Sequence, residues 1–229
     1  SPCETRFDQY AAYEATDEQG NPVLWAPHNA DGVYSGAEMS LKTAFARSIN
    51  TIAVSLAQEV GIANVARTAH AMGIHTPLNE TPALALGASD VSLLELVNAY
   101  CTVVNNGLTH DPILVTRIED RDGNLIYEKE PRQTQAIPYE SAFLMQQMLQ
   151  AGMNEPRGTS QALWGYDLHR YGTNFGGKTG TTSNHSDAWF VGVTRNLVAG
   201  AWVGGEYRSI HFRTGALGQG SRTALPICG

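Results

Sequence analysis

The chain has little positive charge and gathers none of it. Fifteen lysines and arginines face 22 acidic residues, the formal charge is −7, and Lys42, Lys129 and Lys178 are the only lysines. No basic run forms a stripe, so the footprint of a nucleic-acid or anionic-membrane binder is missing, and no nucleic-acid partner is expected. Long hydrophobic runs are also absent: nothing approaches the ~18 apolar residues that a membrane-crossing helix needs. Cys3, Cys101 and Cys228 are too few and too widely spaced for a disulfide framework or a zinc site, and they leave the redox compartment open. The seven histidines show no H-E-x-x-H spacing, and His70 and His75, five apart, do not share a helical face. Neither a metal nor a cofactor is expected. The N-terminus carries no methionine and no signal peptide and reads as a cut end. What remains is 229 residues with 42% hydrophobic and 16% charged content, the composition of a folded globular chain with one substantial core.

Residues 1–38 are polar and turn-rich, and predict irregular structure with one short strand. Leu41, Phe45, Ser48, Ile52, Leu56 and Val60 then recur at three- and four-residue spacing, a helical pattern stopped by Gly61. "ANVARTAHAMG" predicts a second helix. "SLLELVNAYCTVVNNG" predicts a third, with Ser92 as N-cap and Gly107 beyond its end. "ILVTRIEDRDGNLIYE" alternates on both sides of Asp122-Gly123-Asn124, as a β-hairpin does. "YESAFLMQQMLQAG" is a further amphipathic helix. The last third changes period: "KTGTT", "DAWFVGVT", "LVAGAWVGG" and "SIHFRTG" predict short strands. Helices followed by consecutive strands imply an α+β fold, an antiparallel β-sheet flanked by helices, as one domain over 1–229.

"GTNFGGKTG", residues 172–180, matches the phosphate-loop pattern G-x-x-x-x-G-K-[ST]. That loop must leave a buried strand and open a helix. Here "WGYDLHRY" precedes it, and Thr179, Gly180, Thr181 and Thr182 follow Lys178, residues that resist a first helical turn. The nucleotide-binding reading is therefore the distant one. As a strand, period two puts Lys178 and Gly180 on one face and Thr179 and Thr181 on the other. At a cleft, a cation and hydroxyls so placed would grip a carboxylate, and free N–H groups an oxyanion. Taken alone, the stretch also fits a Gly/Thr-rich edge strand with a solvated lysine.

"FARSINTIAV" holds Ser48-Ile49-Asn50. On an unbroken helix, residues two apart point about 200° apart, so both polar groups could not face one site. Serine and asparagine are poor inside helices and good as caps. The pattern reads as two helices broken at residues 48–50, with both side chains turned into a common cleft, or else as one helix with Asn50 solvated.

The order Ser48-x-Asn50 then Lys178-Thr-Gly, with "MSLKTAFAR", "WAPHNADGVYSG", "LALGASDVSLLELVNAY", "SDAWFVG" and "TGALGQGSRTALPI" around them, resembles the transpeptidase domain of class A penicillin-binding proteins, within the penicillin-recognising serine acyl-transferases. The resemblance implies acylation of a serine by a D-Ala-D-Ala peptide stem, loss of D-alanine, and transfer to an amine of a neighbouring stem. β-Lactam antibiotics would be caught on the way. Ser48 would relay a proton to the leaving group, and Asn50 would hold the substrate amide. Lys178 would poise Ser48 and attract the terminal carboxylate, as an ordinary protonated amine. Thr179 and Thr181 would bind that carboxylate, the Thr181 N–H would complete an oxyanion hole, and Gly180 would leave room. The family also implies an extracytoplasmic location with an anchor in the inner membrane outside this chain.

One family motif is missing. Met39, Ile126 and Phe175 stand three positions before the lysines, so no S-x-x-K exists here. The resemblance places that serine upstream of Ser1, with two strands and a helix, so the missing N-terminal part is an expected partner and the 229 residues by themselves an inactive fragment; a degenerate relative is the alternative. Other readings of the scaffold are a β-lactam or muropeptide sensor, and a D,D-carboxypeptidase or β-lactamase, for which Glu95 is the tempting water-activating carboxylate.

Overall fold

The computed structural model describes residues 1–17, 19–130, 132–167 and 174–229. Its centre is a three-stranded antiparallel meander, order β11-β10-β9, built from β9 (Gly176–Thr181), β10 (Asp187–Val193) and β11 (Val198–Gly204). Cross-strand partners share a face, so the register divides the sheet cleanly. Lys178, Val191 and Gly200 form one row of one face, and Thr179, Phe190 and Ala201 a row of the other. The Phe190 face is buried with Phe175, Leu163, Ala224 and Leu225, under the short C-terminal helix α7 (Leu225–Cys228).

The Lys178 face receives α4 (Leu93–Val104) and α5 (Tyr139–Asn154), with Val103, Leu149 and Val193 in one buried cluster. Helix α5 comes very close to β9: a Cβ on Gly176 would stand 2.7 Å from the Leu149 carbonyl carbon and 2.8 Å from the Gln150 nitrogen. Helix α1 (Leu41–Arg47) packs on α5, and α2 (Asn50–Val60) and α3 (Ile62–Ala71) follow. Ser92 caps α4 in a reciprocal capping box with Glu95, the arrangement that leaves the first-turn donors satisfied.

Two expectations are corrected. Residues 1–38 hold more strand than one: β1 (Thr5–Phe7) pairs with β4 (Glu38–Ser40), and β2 (Tyr13–Thr16) with β3 (Pro22–Trp25). These pairs are only three or four residues long, below the length at which alternation shows. Conversely "SIHFRTG", residues 209–215, forms no strand; Ile210 N–H donates to the Tyr207 carbonyl in a local turn and Phe212 N–H to the His185 carbonyl 27 residues back, leading to α6 (Gly215–Gly218). The hairpin around 122–124 is present as β6 (Arg117–Glu119) and β7 (Leu125–Glu128). Strand β8 (Gln133–Gln135) pairs with β5 (Leu108–His110). Among the described residues no helix is long and apolar enough to cross a membrane.

Candidate active site

The helical pattern of residues 41–60 is broken where Ser48 sits. Ser48 has φ 58° and ψ 48°, the left-handed region that costs a non-glycine residue about 1 kcal/mol or more. The break is held from the α1 side, where the carbonyls of Phe45 and Ala44 accept from Ser48 N–H and Ile49 N–H at 3.1 and 3.0 Å. The turn aims the Ser48 hydroxyl away from the α1 stripe and at the sheet.

What brings it to β9 is a tie through residues 155–160. Arg47 Nε donates to the Pro156 carbonyl at 3.0 Å, Lys42 pairs with Glu155 at 3.0 Å, and Thr159 N–H donates to the Ala46 carbonyl at 3.0 Å. The next residue, fully buried Ser160, donates its hydroxyl to the Gly177 carbonyl of β9 at 3.2 Å. Sequence reasoning missed this bracket; "EPRGTS" carries no short-range signature, because its bonds run 109 and 17 residues along the chain.

Lys178 Nζ donates to Ser48 Oγ at 2.8 Å, across 130 residues of sequence, and to the Thr179 carbonyl at 3.0 Å. The Phe45 ring lies 5.9 Å from Nζ, within cation–π range. Burial brings the Lys178 amine down to about 8, since the charged form loses its hydration. The value is lower than that of an ordinary lysine, while the protonated cation that the resemblance calls for still predominates at pH 7.

The other predicted residues are placed as follows. Asn50 begins α2, and its amide nitrogen donates to the His28 carbonyl at 2.7 Å, which leaves its oxygen as the free acceptor. Gly180 follows Lys178 on the same face, where an added Cβ would meet Trp189 Cβ at 3.1 Å. The residue that needs its small side is thus an aromatic neighbour. Thr179 and Thr181 point to the opposite face in the strand register. Thr181 Oγ1 accepts from Gly220 N–H at 3.0 Å and keeps its own proton to donate. Gly220 fits there only as glycine, because a Cβ would come within 2.4 Å of the Trp189 carbonyl oxygen. Trp189 and Trp202 pair across β10 and β11 on the Lys178 face, with ring centroids 6.3 Å apart.

The carboxylate considered for hydrolysis is engaged elsewhere. Glu95 accepts from His75 N–H, Thr76 N–H, the Thr76 hydroxyl, Ser92 N–H and the Ser92 hydroxyl. Led by the Thr76 bond, these hold its pKa down at about 2. Of the phosphate-loop match, 172 and 173 lie outside the described residues. The rest runs into strand β9 and is followed by strand β10, so Lys178 does not stand before a helix.

A half-buried lysine on edge strand β9, bonded to a serine at a helix break, thus lies on a sheet with helices on both faces. Residues 6–200 match the penicillin binding protein transpeptidase domain, and the chain belongs to that family. It is 34% identical over 203 residues to penicillin-binding protein 1B of Haemophilus influenzae, covering 87% of this chain and 25% of that protein. It is 31% identical over 181 residues to penicillin-binding protein 2D of Bacillus subtilis, covering 79% and 26%. The crystal structure of penicillin-binding protein 1A from Haemophilus influenzae superposes with a TM-score of 0.85 at 25% identity, over 99% of this chain and 38% of that one. The chain thus spans about a quarter of the length of the curated relatives it matches.

Proposed function

We propose that these residues form the S-x-N and K-T-G side of a serine-type D,D-transpeptidase that cross-links peptidoglycan peptide stems, with the attacking serine supplied by an S-x-x-K segment outside the 229 residues. The carrying observation is the 2.8 Å hydrogen bond from Lys178 Nζ to Ser48 Oγ. Because Lys178 donates to that oxygen, the Ser48 proton is free to point at substrate, and the adjacent cation makes it easier to give up. In the acylation step the incoming serine oxygen bonds to the penultimate D-Ala carbonyl carbon. The C–N bond to terminal D-alanine breaks, and the proton given up by the attacking serine reaches the departing amine by relay through Ser48, which ends protonated as it began. An amine of a second stem then attacks the ester and releases the serine.

Asn50 Oδ1, free on the substrate side, would accept from the stem amide. Lys178 and the hydroxyls of Thr179 and Thr181 would hold the terminal carboxylate, with the Thr181 N–H in the oxyanion hole and Gly180 beside it. β-Lactams would be trapped at the same step, as the imipenem acyl-enzyme complex of penicillin-binding protein A from M. tuberculosis shows for that protein. The enzyme would work on the extracytoplasmic side, anchored by a segment outside this chain.

The test uses the polypeptide that carries these residues with its S-x-x-K segment, a D-Ala-D-Ala pentapeptide and an amine acceptor, with products read by mass spectrometry. Release of D-alanine with a new amide is expected. Hydrolysed tetrapeptide alone would make the enzyme a carboxypeptidase, a stable adduct without turnover would make it a sensor, and no covalent adduct would overturn acyl transfer.

A further inference from the structure

Helix α2 begins badly on its own terms. Ile49 occupies the N-cap and has no side chain to accept from the first turn. The cap comes from elsewhere: Asn29 Oδ1 accepts from Asn50 N–H at 3.0 Å and Thr51 N–H at 3.4 Å. An asparagine amide can face either way, and two acceptors on its nitrogen side, the Asp8 carboxylate and the Val33 carbonyl at 2.8 Å, decide which. A carboxylate only accepts, so Asn29 must turn its nitrogen to Asp8 Oδ1, at 2.7 Å, and its oxygen to the helix. The same Asp8 oxygen takes the Thr51 hydroxyl at 2.6 Å, and its other oxygen takes Ser35 N–H and the Ser35 hydroxyl at 3.0 and 2.7 Å. Asp8, Thr51 and Asn29 are 2%, 4% and 8% exposed.

We propose that Asp8, acting through Asn29 and Thr51, is the positioning residue that sets the angle of Ser48 and Asn50 toward Lys178; the inference rests on the acyl-transfer reading above. Ser48 is held in a strained left-handed turn, and such a turn persists only when both flanks fix it. Phe45 and Ala44 carbonyls fix the α1 flank, and the Asp8–Asn29 clamp fixes the α2 flank. The negative charge also sits at the positive end of α2, where the helix dipole favours it. Burial alone would push this carboxyl up, but the Thr51, Ser35 and Asn29 bonds outweigh it and hold Asp8 at about 2. Without the clamp, the first turn of α2 can fray and relax Ser48, and the Lys178 bond loses its alignment.

The test has two readouts on the polypeptide that carries the S-x-x-K segment: hydrogen exchange of the Asn50 and Thr51 amides, and the rate of labelling by fluorescent penicillin. Asp8→Asn, which cannot satisfy Asn29, Thr51 and Ser35 together, is expected to speed both amides at least tenfold and slow labelling at least tenfold. Thr51→Val is expected to slow labelling at least threefold, through the loss of one hydrogen bond to a charged carboxylate, while Thr51→Ser keeps the wild-type values. Should Asp8→Asn fail to fold, the Thr51 pair decides. Faster exchange with unchanged labelling would reduce Asp8 to a structural residue, and unchanged exchange would remove the clamp altogether. If the unsubstituted polypeptide takes no label, acyl transfer fails, and exchange still decides whether the clamp exists.

Discussion

Lys178 is where stability and chemistry pull against each other. Its amine titrates near 10.5 when unfolded and at about 8 in the fold. Below pH 8 the half-buried cation is a constant burden of about 3 kcal/mol at most, taking 1.36 kcal/mol per pH unit. Between pH 8 and 10.5 the unfolded chain binds more protons than the folded one, so stability rises with pH and the burden disappears. Lys178→Met is therefore expected to raise stability at pH 7, by urea unfolding, with a gain that vanishes above pH 10.5. A gain independent of pH would show that burial of charge is not its cause. The same titration predicts that wild-type labelling by a carboxylate-bearing penicillin falls as pH passes 8, because the neutral amine neither attracts the carboxylate nor poises Ser48.

At the scale of elements, the site depends on how tightly α5 lies on β9. Gly176→Ala would set a methyl against the Leu149 and Gln150 backbone, which cannot give way as a flexible side chain can. Overpacking of this kind costs roughly 1–3 kcal/mol. It would also lift β9, two residues before Lys178. Gly165→Ala, where an added Cβ meets nothing within 4 Å, is the control and should stay within about 0.5 kcal/mol of wild type. Equal denaturation midpoints for the two variants would contradict the close packing.

What was legible in the sequence followed contact range. The Ser92 cap and the Asp122-Gly123-Asn124 turn involve neighbours, and both could be read directly, whereas the reciprocal bond from Glu95 was not read. The helix break at Ser48 could be read because serine and asparagine sit badly on a continuous stripe. Asp8, Asn29, Glu155 and Ser160 could not be read: each acts on residues 17 to 112 positions away, and one buried aspartate looks like any other in a polar segment. The "SIHFRTG" stretch misled because aromatic and β-branched residues imply a strand only where a partner strand is available.

For the molecule as a whole, β11 is the other edge of the sheet among the described residues. It runs seven residues, Val198–Gly204, with no charged side chain, and Trp202 on it is 41% exposed. Native edges of this length normally carry a lysine, a proline or a bulge that prevents pairing with another chain. The 229 residues taken alone are accordingly expected to self-associate as concentration rises, by sedimentation velocity. A strictly monomeric chain with a single cooperative unfolding transition would show that β11 needs no cover.

Proton relay at this site requires Ser48 and Lys178 to act as one unit, and a double-mutant cycle measures that directly. Labelling rates by fluorescent penicillin would be compared for Ser48→Ala, Lys178→Ala and the double variant, each in the polypeptide that carries the S-x-x-K serine. Each single change is expected to cost about 10²- to 10⁴-fold, the worth of a positioned proton relay, and the double variant no more than the worse single one, as residues that form a unit behave. Losses that multiply in the double variant would mean that the two groups act independently, and the 2.8 Å bond between them would be incidental to the chemistry.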